Sequence, residues 1–290
     1  MNEQDKQGIA TMESISETPN GPPGNPQGGL VLEIGGGHNP YPQSDIIVDK
    51  FLENKERGGD LKVDRPVVIA DFQQLPFKDG SFDYSICSHV LEHVEDVPSA
   101  LNELSRVAKA GYLETPSAMN EVVEPHREYH RWYVARQGSK LVFYPKNMGK
   151  SPEQFLLNRL LTRNAAFRFF YLSNPDLAFT RLRWRKRVEF EVKPESEPLD
   201  LEVLYPTVDQ SVFGMVSGVA THYLGKLQRR ARQKARARKA PVDIQAILCC
   251  PVCKSSFRFE GDKLICATCG GYYLKQGRLY HLLKEDLRPL

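Results

Sequence analysis

Along residues 30–116 short apolar runs alternate with amphipathic stretches, and this alternation predicts a parallel α/β sheet. The strand candidates are 31–34, 46–48, 67–70, 84–87 and 112–114. Between the last two, Val97, Leu101, Leu104 and Ala108 recur at helical spacing, with Pro98 in the first turn and Gly111 as the stop signal. Farther on, 130–135 and 141–145 flank a Gly-containing turn at Gly138 and predict a β-hairpin. Residues 151–170 predict one helix that buries Phe155, Leu156, Leu160, Phe167 and Phe170. Residues 188–192 are a further strand candidate, and 209–239 read as a helix that begins apolar and ends basic. Residues 1–27 hold Asn, Gln, Ser, Gly and Pro with few large apolar side chains, the composition of a disordered tail.

Composition narrows the class. The 290 residues are 41% hydrophobic and 26% charged, ordinary for a soluble globular protein. The most apolar run, 212–224, is broken by Gly214, Ser217, Gly218 and His222. It falls short of the roughly 20 residues that a membrane-spanning helix needs, so no transmembrane segment is expected. The first residues lack the apolar core of a signal peptide. Five of the six cysteines cluster between Cys249 and Cys269, as a metal site does and a spread disulfide framework does not. Together these readings point to a cytoplasmic protein. The net charge of +3 conceals a segment, Lys226 to Lys239, with eight basic residues and no acidic one; without it the rest of the chain stands at −5.

The chemistry begins at Val31-Leu-Glu-Ile-Gly-Gly-Gly37, a strand that runs into glycines, where a missing Cβ lets the backbone turn sharply against a ligand. Asp49 ends the second apolar run, where a carboxylate can accept from both hydroxyls of a ribose. Asp71 ends the third, and the fourth leads into His89-Val-Leu-Glu92-His93. Polar groups thus gather on the sheet edge where open α/β folds bind ligands. The third glycine of G-x-G-x-x-G is absent, which disfavours a dehydrogenase.

These motifs, in this order, resemble the class I S-adenosylmethionine-dependent methyltransferases of the ubiquinone and menaquinone biosynthesis group, over residues 30 to 116. The resemblance implies a Rossmann-like, doubly wound, mostly parallel sheet and S-adenosylmethionine as cofactor. It places Glu33, Gly35 and Gly37 along the methionine part of the cofactor and Asp49 on the ribose. It also places Asp71 at the adenine amino group, Phe72 beside the ring and His89 near the sulfonium. The loop from Gly37 to the second strand holds Pro40 and Pro42 and is short, so the crossover helix usual at that place must shrink to a turn or less.

Methyl transfer needs positioning, and a general base when the acceptor is a hydroxyl or a protonated amine. His89, Glu92, His93, Glu114, His126 and His130 are the candidates, with His93 the first choice as catalytic base. His89-Val-Leu-Glu92-His93 also resembles the Glu-x-x-Glu-His ligand set of metal-dependent O-methyltransferases; three residues on one helix face could converge on an ion, with His126 or His130 completing the set. No Asn/Asp-Pro-Pro-Tyr/Phe and no Pro-Cys sequence follows the fourth strand, which disfavours the amino-methyltransferases of adenine or glutamine and the cytosine-C5 type.

Cys250-Pro-Val-Cys253 and Cys266-Ala-Thr-Cys269 form two C-x-x-C knuckles twelve residues apart, a thiolate set that suits structural Zn²⁺. This part of the chain resembles the small zinc-ribbon activator of tRNA and rRNA methyltransferases. That resemblance implies a zinc ribbon docked in cis, with Tyr272, Tyr273, Leu279, Tyr280, Leu282 and Leu283 available to cover an apolar patch. The basic segment carries no aromatic residue for base stacking, so nucleic acid is not the favoured partner.

The expected organisation is a tail at 1–27, a methyltransferase domain at 28–240 and a zinc-ribbon β module at 241–290. Within the domain, 117–207 form the acceptor cover and 208–240 a basic linker helix. The expected function is transfer of a methyl group to an O or N acceptor on a small molecule or glycan. The alternatives are an RNA or protein methyltransferase guided by the ribbon and basic helix, and a non-catalytic cofactor-binding scaffold.

Overall fold

The computed structural model describes residues 29–52, 59–124, 128–146, 152–205 and 242–283. The expected tail, the basic helix and His126 lie outside the described residues. Five parallel strands build the centre: β1 (Val31–Ile34), β2 (Ile46–Asp49), β3 (Val67–Ile69), β4 (Tyr84–Ser88) and β5 (Ala110–Pro116). All four residues of β1 are buried, as expected of a strand with sheet neighbours on both sides and packing on both faces. Helix α1 (Val97–Val107) crosses between β4 and β5. Asp96 caps its first turn by accepting from the Ser99 N–H at 3.0 Å, and Val97, Ala100, Leu101, Leu104 and Val107 face the core.

The link from β1 to β2 contains no helix among the described residues. Polar contacts hold it instead. The Glu33 carboxylate accepts from the Tyr41 N–H at 2.9 and 3.1 Å, and Asp45 Oδ2 accepts from the Val31 N–H at 3.0 Å. Arg65, 3% exposed, donates from one nitrogen to the Tyr41 and Ser44 carbonyls, both at 2.8 Å, and to Ser44 Oγ at 2.6 Å.

After β5 the chain forms α2 (Ala118–Val123), the hairpin β6 (Trp132–Gln137) and β7 (Lys140–Pro145), α3 (Pro152–Arg163), α4 (Ala165–Ser173) and α5 (Pro175–Ala178). Strand β8 (Phe179–Arg185) then pairs antiparallel with β5, while β9 (Glu189–Val192) joins β6 and β7 in a separate three-stranded sheet. Helix α6 (Leu201–Leu204) follows.

Two expectations change. Residues 151–170 are two helices, not one, because Asn164 leaves the helix and caps α4 by accepting from the Phe167 N–H. The buried stripe is rotated accordingly: Phe155 and Leu156 are exposed at 70% and 58%, while Leu157 and Leu161 pack towards Val123 and Tyr171. Gly111 is no helix stop; it lies inside β5, where an added Cβ would sit 2.3 Å from Ser85 Oγ and 2.8 Å from the Ser85 carbonyl.

The last four strands are β10 (Phe257–Glu260), β11 (Lys263–Cys266), β12 (Tyr272–Gln276) and β13 (Leu279–His281). They form an antiparallel meander, and β13 then lies parallel to β3, so one ten-stranded sheet runs β10-β11-β12-β13-β3-β2-β1-β4-β5-β8. Tyr273, Tyr280 and Leu282 share a hydrophobic core with Leu75 and Phe77, and Leu279 and Leu283 pack with Ile47 and Val67. Tyr272, by contrast, is 43% exposed. Lys254 adds a polar tie, reaching the Leu75 carbonyl at 3.0 Å and Glu103 of α1 at 2.8 Å.

Candidate active site and cysteine cluster

The strand order 3-2-1-4-5 reverses between β1 and β4, and at the C-terminal ends of these strands lies a cavity of about 570 Å³. Gly35, Asp49, Asp71, Phe72, His89 and His93 line it. Gly35 has φ +72°, and a Cβ there would meet Val90 Cγ2 at 2.3 Å. Asp49 ends β2 with one oxygen accepting from the Phe51 N–H at 3.1 Å. Asp71 caps the 3₁₀ turn Phe72–Gln74 and pairs with Lys50 at 2.8 Å. Burial pushes the Asp71 carboxyl upward, but the Lys50 ammonium and the Gln73 N–H outweigh it and hold it below the usual carboxylate range.

Two residues expected along the cofactor do not line the cavity: Glu33 is 3% exposed with its carboxylate on the Tyr41 N–H, and Gly37 is buried at φ +51°. The polar lining residues that were not foreseen are Lys50, Gln73, Glu95, Tyr129 and Arg131. Tyr129 and Arg131 come from the loop before β6, whose approach to the sheet edge leaves no mark in local sequence.

Among the base candidates, Glu114 is tied up. It accepts from Tyr112 Oη at 2.6 Å and Arg181 Nε at 2.8 Å, and although burial raises its pKa, the Arg181 charge holds it lowered. His89 has a positive φ of 57°, and its Nε2 lies 3.8 Å from Glu114. His93 stacks on Tyr129 with ring centroids 5.3 Å apart and meets His130 edge-on at 4.7 Å. The segment around Glu92 is a 3₁₀ turn, Leu91–His93, and not the helix expected; His89 lies before it, with Nδ1 3.6 Å from Glu92 Oε1. The described residues whose donor atoms converge are instead Glu92, His93 and His130.

At the other end of the sheet, Cys250, Cys253, Cys266 and Cys269 bring their sulfurs together. Cys250 and Cys269 lie 3.7 Å apart and Cys253 and Cys266 3.4 Å apart, near the roughly 3.8 Å edge of a tetrahedron with 2.3 Å bonds and far from the ~2.05 Å of a disulfide. Hydrogen bonds from Ser255 draw the Cys253 thiol down to about 6. Cys249 and Cys87 stand apart from this cluster, both buried. Burial pushes the Cys87 thiol well up, as befits a small core residue.

Comparison with known proteins bears on the same strands. Residues 46–113 match a family model described as a methyltransferase domain. The uncharacterized methyltransferase YcgJ of Bacillus subtilis is 36% identical over 91 residues, covering 27% of this chain and 36% of that protein. The ubiquinone/menaquinone biosynthesis C-methyltransferase UbiE of Desulfotalea psychrophila is 28% identical over 127 residues, covering 38% of this chain and 51% of that protein. The solved structure of Bacillus YcgJ aligns at 25% identity and a TM-score of 0.26, over 35% of this chain and 54% of that one. The chain thus spans about a third to half the length of these curated relatives. The methyltransferase-domain match runs from β2 to β5 and includes Asp49, Asp71, His89 and His93.

Proposed function

We propose that this chain is an S-adenosylmethionine-dependent methyltransferase acting on an oxygen or nitrogen of a small-molecule or glycan acceptor. The observation that carries the reading is the set of carboxylates and glycine at the strand ends of the switch-point cavity, within or beside the stretch that matches a methyltransferase domain. Bound S-adenosylmethionine would supply an electrophilic methyl group. The chain's part is to hold it: Asp49 accepts from the ribose hydroxyls, Gly35 leaves room for close backbone approach, and Asp71 and Phe72 border the adenine. Asp71 would reach the adenine amino group through a remaining lone pair, since Lys50 holds Oδ2 and the Gln73 N–H and Nε2 hold Oδ1. His93, which lines the cavity, would take a proton from the acceptor.

The UbiE relative is named a C-methyltransferase, which favours carbon as the second reading of the acceptor atom. Methylated product made with labelled donor, then tested for acid- or base-labile methyl, separates carbon from ester-type oxygen acceptors. Cofactor binding itself is tested by calorimetry. Replacing Asp49 by Ala removes a charge-assisted hydrogen-bond acceptor worth about 1.5–3 kcal/mol, so affinity should fall roughly ten- to a hundredfold. Equal affinity in a folded Asp49→Ala protein overturns the assignment.

We also infer that the four clustered cysteines hold one structural Zn²⁺. Four thiolates close the coordination sphere, so this ion has no open position for catalysis.

A further inference from the structure

We propose that Glu92, His93 and His130 hold a divalent transition-metal ion at the wall of the cavity, separate from the cysteine cluster. Glu92 is 1% exposed, and its Oε2 is buried without a hydrogen-bond partner among the described residues. A buried carboxylate oxygen left so is costly, and a cation beside it removes the cost. The other oxygen, Oε1, has His89 Nδ1 at 3.6 Å and His93 Nε2 at 3.7 Å. A donor atom from each of Glu92, His93 and His130 lies within 4.8 Å of the others. For metal bonds near 2.1 Å these atoms need only draw in to about 3.4 Å.

His130 is built as a ligand. It is 5% exposed, and its Nδ1 lies 2.6 Å from Glu121 Oε1, while Lys146 holds Glu121 Oε2. A carboxylate on one ring nitrogen fixes the tautomer and orientation of a metal-binding imidazole and leaves the other nitrogen's lone pair to donate. The backbone keeps the two halves of the site together. The Arg131 N–H donates to the Glu92 carbonyl at 2.7 Å, and Trp132 Nε1 donates to the Val94 carbonyl at 2.7 Å.

Two imidazoles and a carboxylate suit zinc, cobalt, nickel or ferrous iron, and three protein ligands leave coordination positions open. The four-cysteine cluster offers no such opening. With the ion bound, His93 is a ligand and no longer the base: because it lines the cavity, an open position on the ion would take a hydroxyl oxygen of the acceptor and favour its deprotonated form, the proton passing to water. That role for the ion rests on the methyltransferase reading; the binding of the ion does not.

The test uses the full chain and Zn²⁺ alone, with no methyl donor. Native mass spectrometry should show two zinc ions per chain. Cys266→Ser should lose one, His93→Ala the other, and the double variant both. Calorimetry of protein already carrying the first ion should show a second site weakened about 10–100-fold by Glu121→Gln, with the fold checked by circular dichroism. His93 is partly exposed, so its variant is expected to fold even where His130→Ala does not. A wild-type protein that never takes a second ion overturns the proposal, as does a second ion retained with unchanged affinity in His93→Ala. Loss of methyl-donor binding with the second zinc intact would instead overturn the methyltransferase reading.

Discussion

Gly35 stands at φ +72°, a region that side chains other than glycine enter at a cost of about 1–2 kcal/mol. Its missing Cβ also leaves the space that Val90 Cγ2 approaches. Gly35→Ala should therefore lower the melting temperature modestly, yet weaken S-adenosylmethionine binding at least about tenfold, because both effects fall on the cavity wall. Calorimetry beside a melting curve checks this; a variant that melts lower and binds the cofactor normally would assign Gly35 a purely structural part. At this scale the sequence was legible where a residue's position on a strand decides its role. Asp49 and Asp71 end apolar runs, and both reach the cavity. Glu33 was not legible, because which strand-end carboxylate turns inward depends on where Tyr41 places its N–H. Glu121 had no local signal at all; only the approach of α2 to the loop before β6 gives it His130 as a partner.

Among elements, the β1–β2 connection is held by polar contacts rather than by a helix. Parallel strands are usually joined by a helix that covers the sheet. Here one guanidinium gathers the loop, with Arg65 also forking onto Asp64 through Nε at 2.6 Å and Nη2 at 3.1 Å. Arg65→Met should remove the charged hydrogen bonds to the Tyr41 and Ser44 carbonyls at about 1–3 kcal/mol in all, the Tyr41 carbonyl keeping the Ser44 N–H and Oγ, and Arg65→Lys should recover only part because an ammonium lacks the planar fork. Denaturant midpoints measure it; a midpoint unchanged in Arg65→Met would mean that the loop is held by Glu33 and Asp45 alone. The shortness of this link was readable from Pro40 and Pro42, but its clamp was not, since Arg65 lies far along the chain. The helix over 151–170 misled for a related reason: its apolar residues fit two different stripes, and Asn164, a good N-cap, is what breaks the run.

For the molecule as a whole, the cysteine-bearing strands and the α/β sheet share one core. A ribbon folded on its own would melt separately and leave the larger domain unchanged. Because Tyr273, Tyr280 and Leu282 pack with Leu75 and Phe77 next to Phe72 of the cavity, stripping zinc with a chelator, or Cys266→Ser, should lower the melting temperature of the entire chain by several degrees and weaken cofactor binding. Two independent transitions, with the larger one unmoved, would show that the two parts are energetically separate. The knuckles announced the four-cysteine cluster, whereas the continuation of the sheet through β13 was hidden, because pairing between distant strands leaves no periodic trace in either of them.

That pairing also sets an order of events during synthesis. The contact between Arg278 and the Asp64 carbonyl, beside the junction of β13 with β3, closes over 214 positions of chain. Until the ribosome has delivered that late segment, β3 presents an unpaired row of N–H and C=O groups with Val67 and Ile69 uncovered, the kind of edge on which nascent chains associate. Loop closure of this length raises the entropic barrier to completing the sheet, so, with the cysteines holding zinc as proposed, the rate of productive folding depends on how quickly these strands take up the ion and dock. Cellular yield would then follow metal supply through the nascent chain, before any effect on the finished protein.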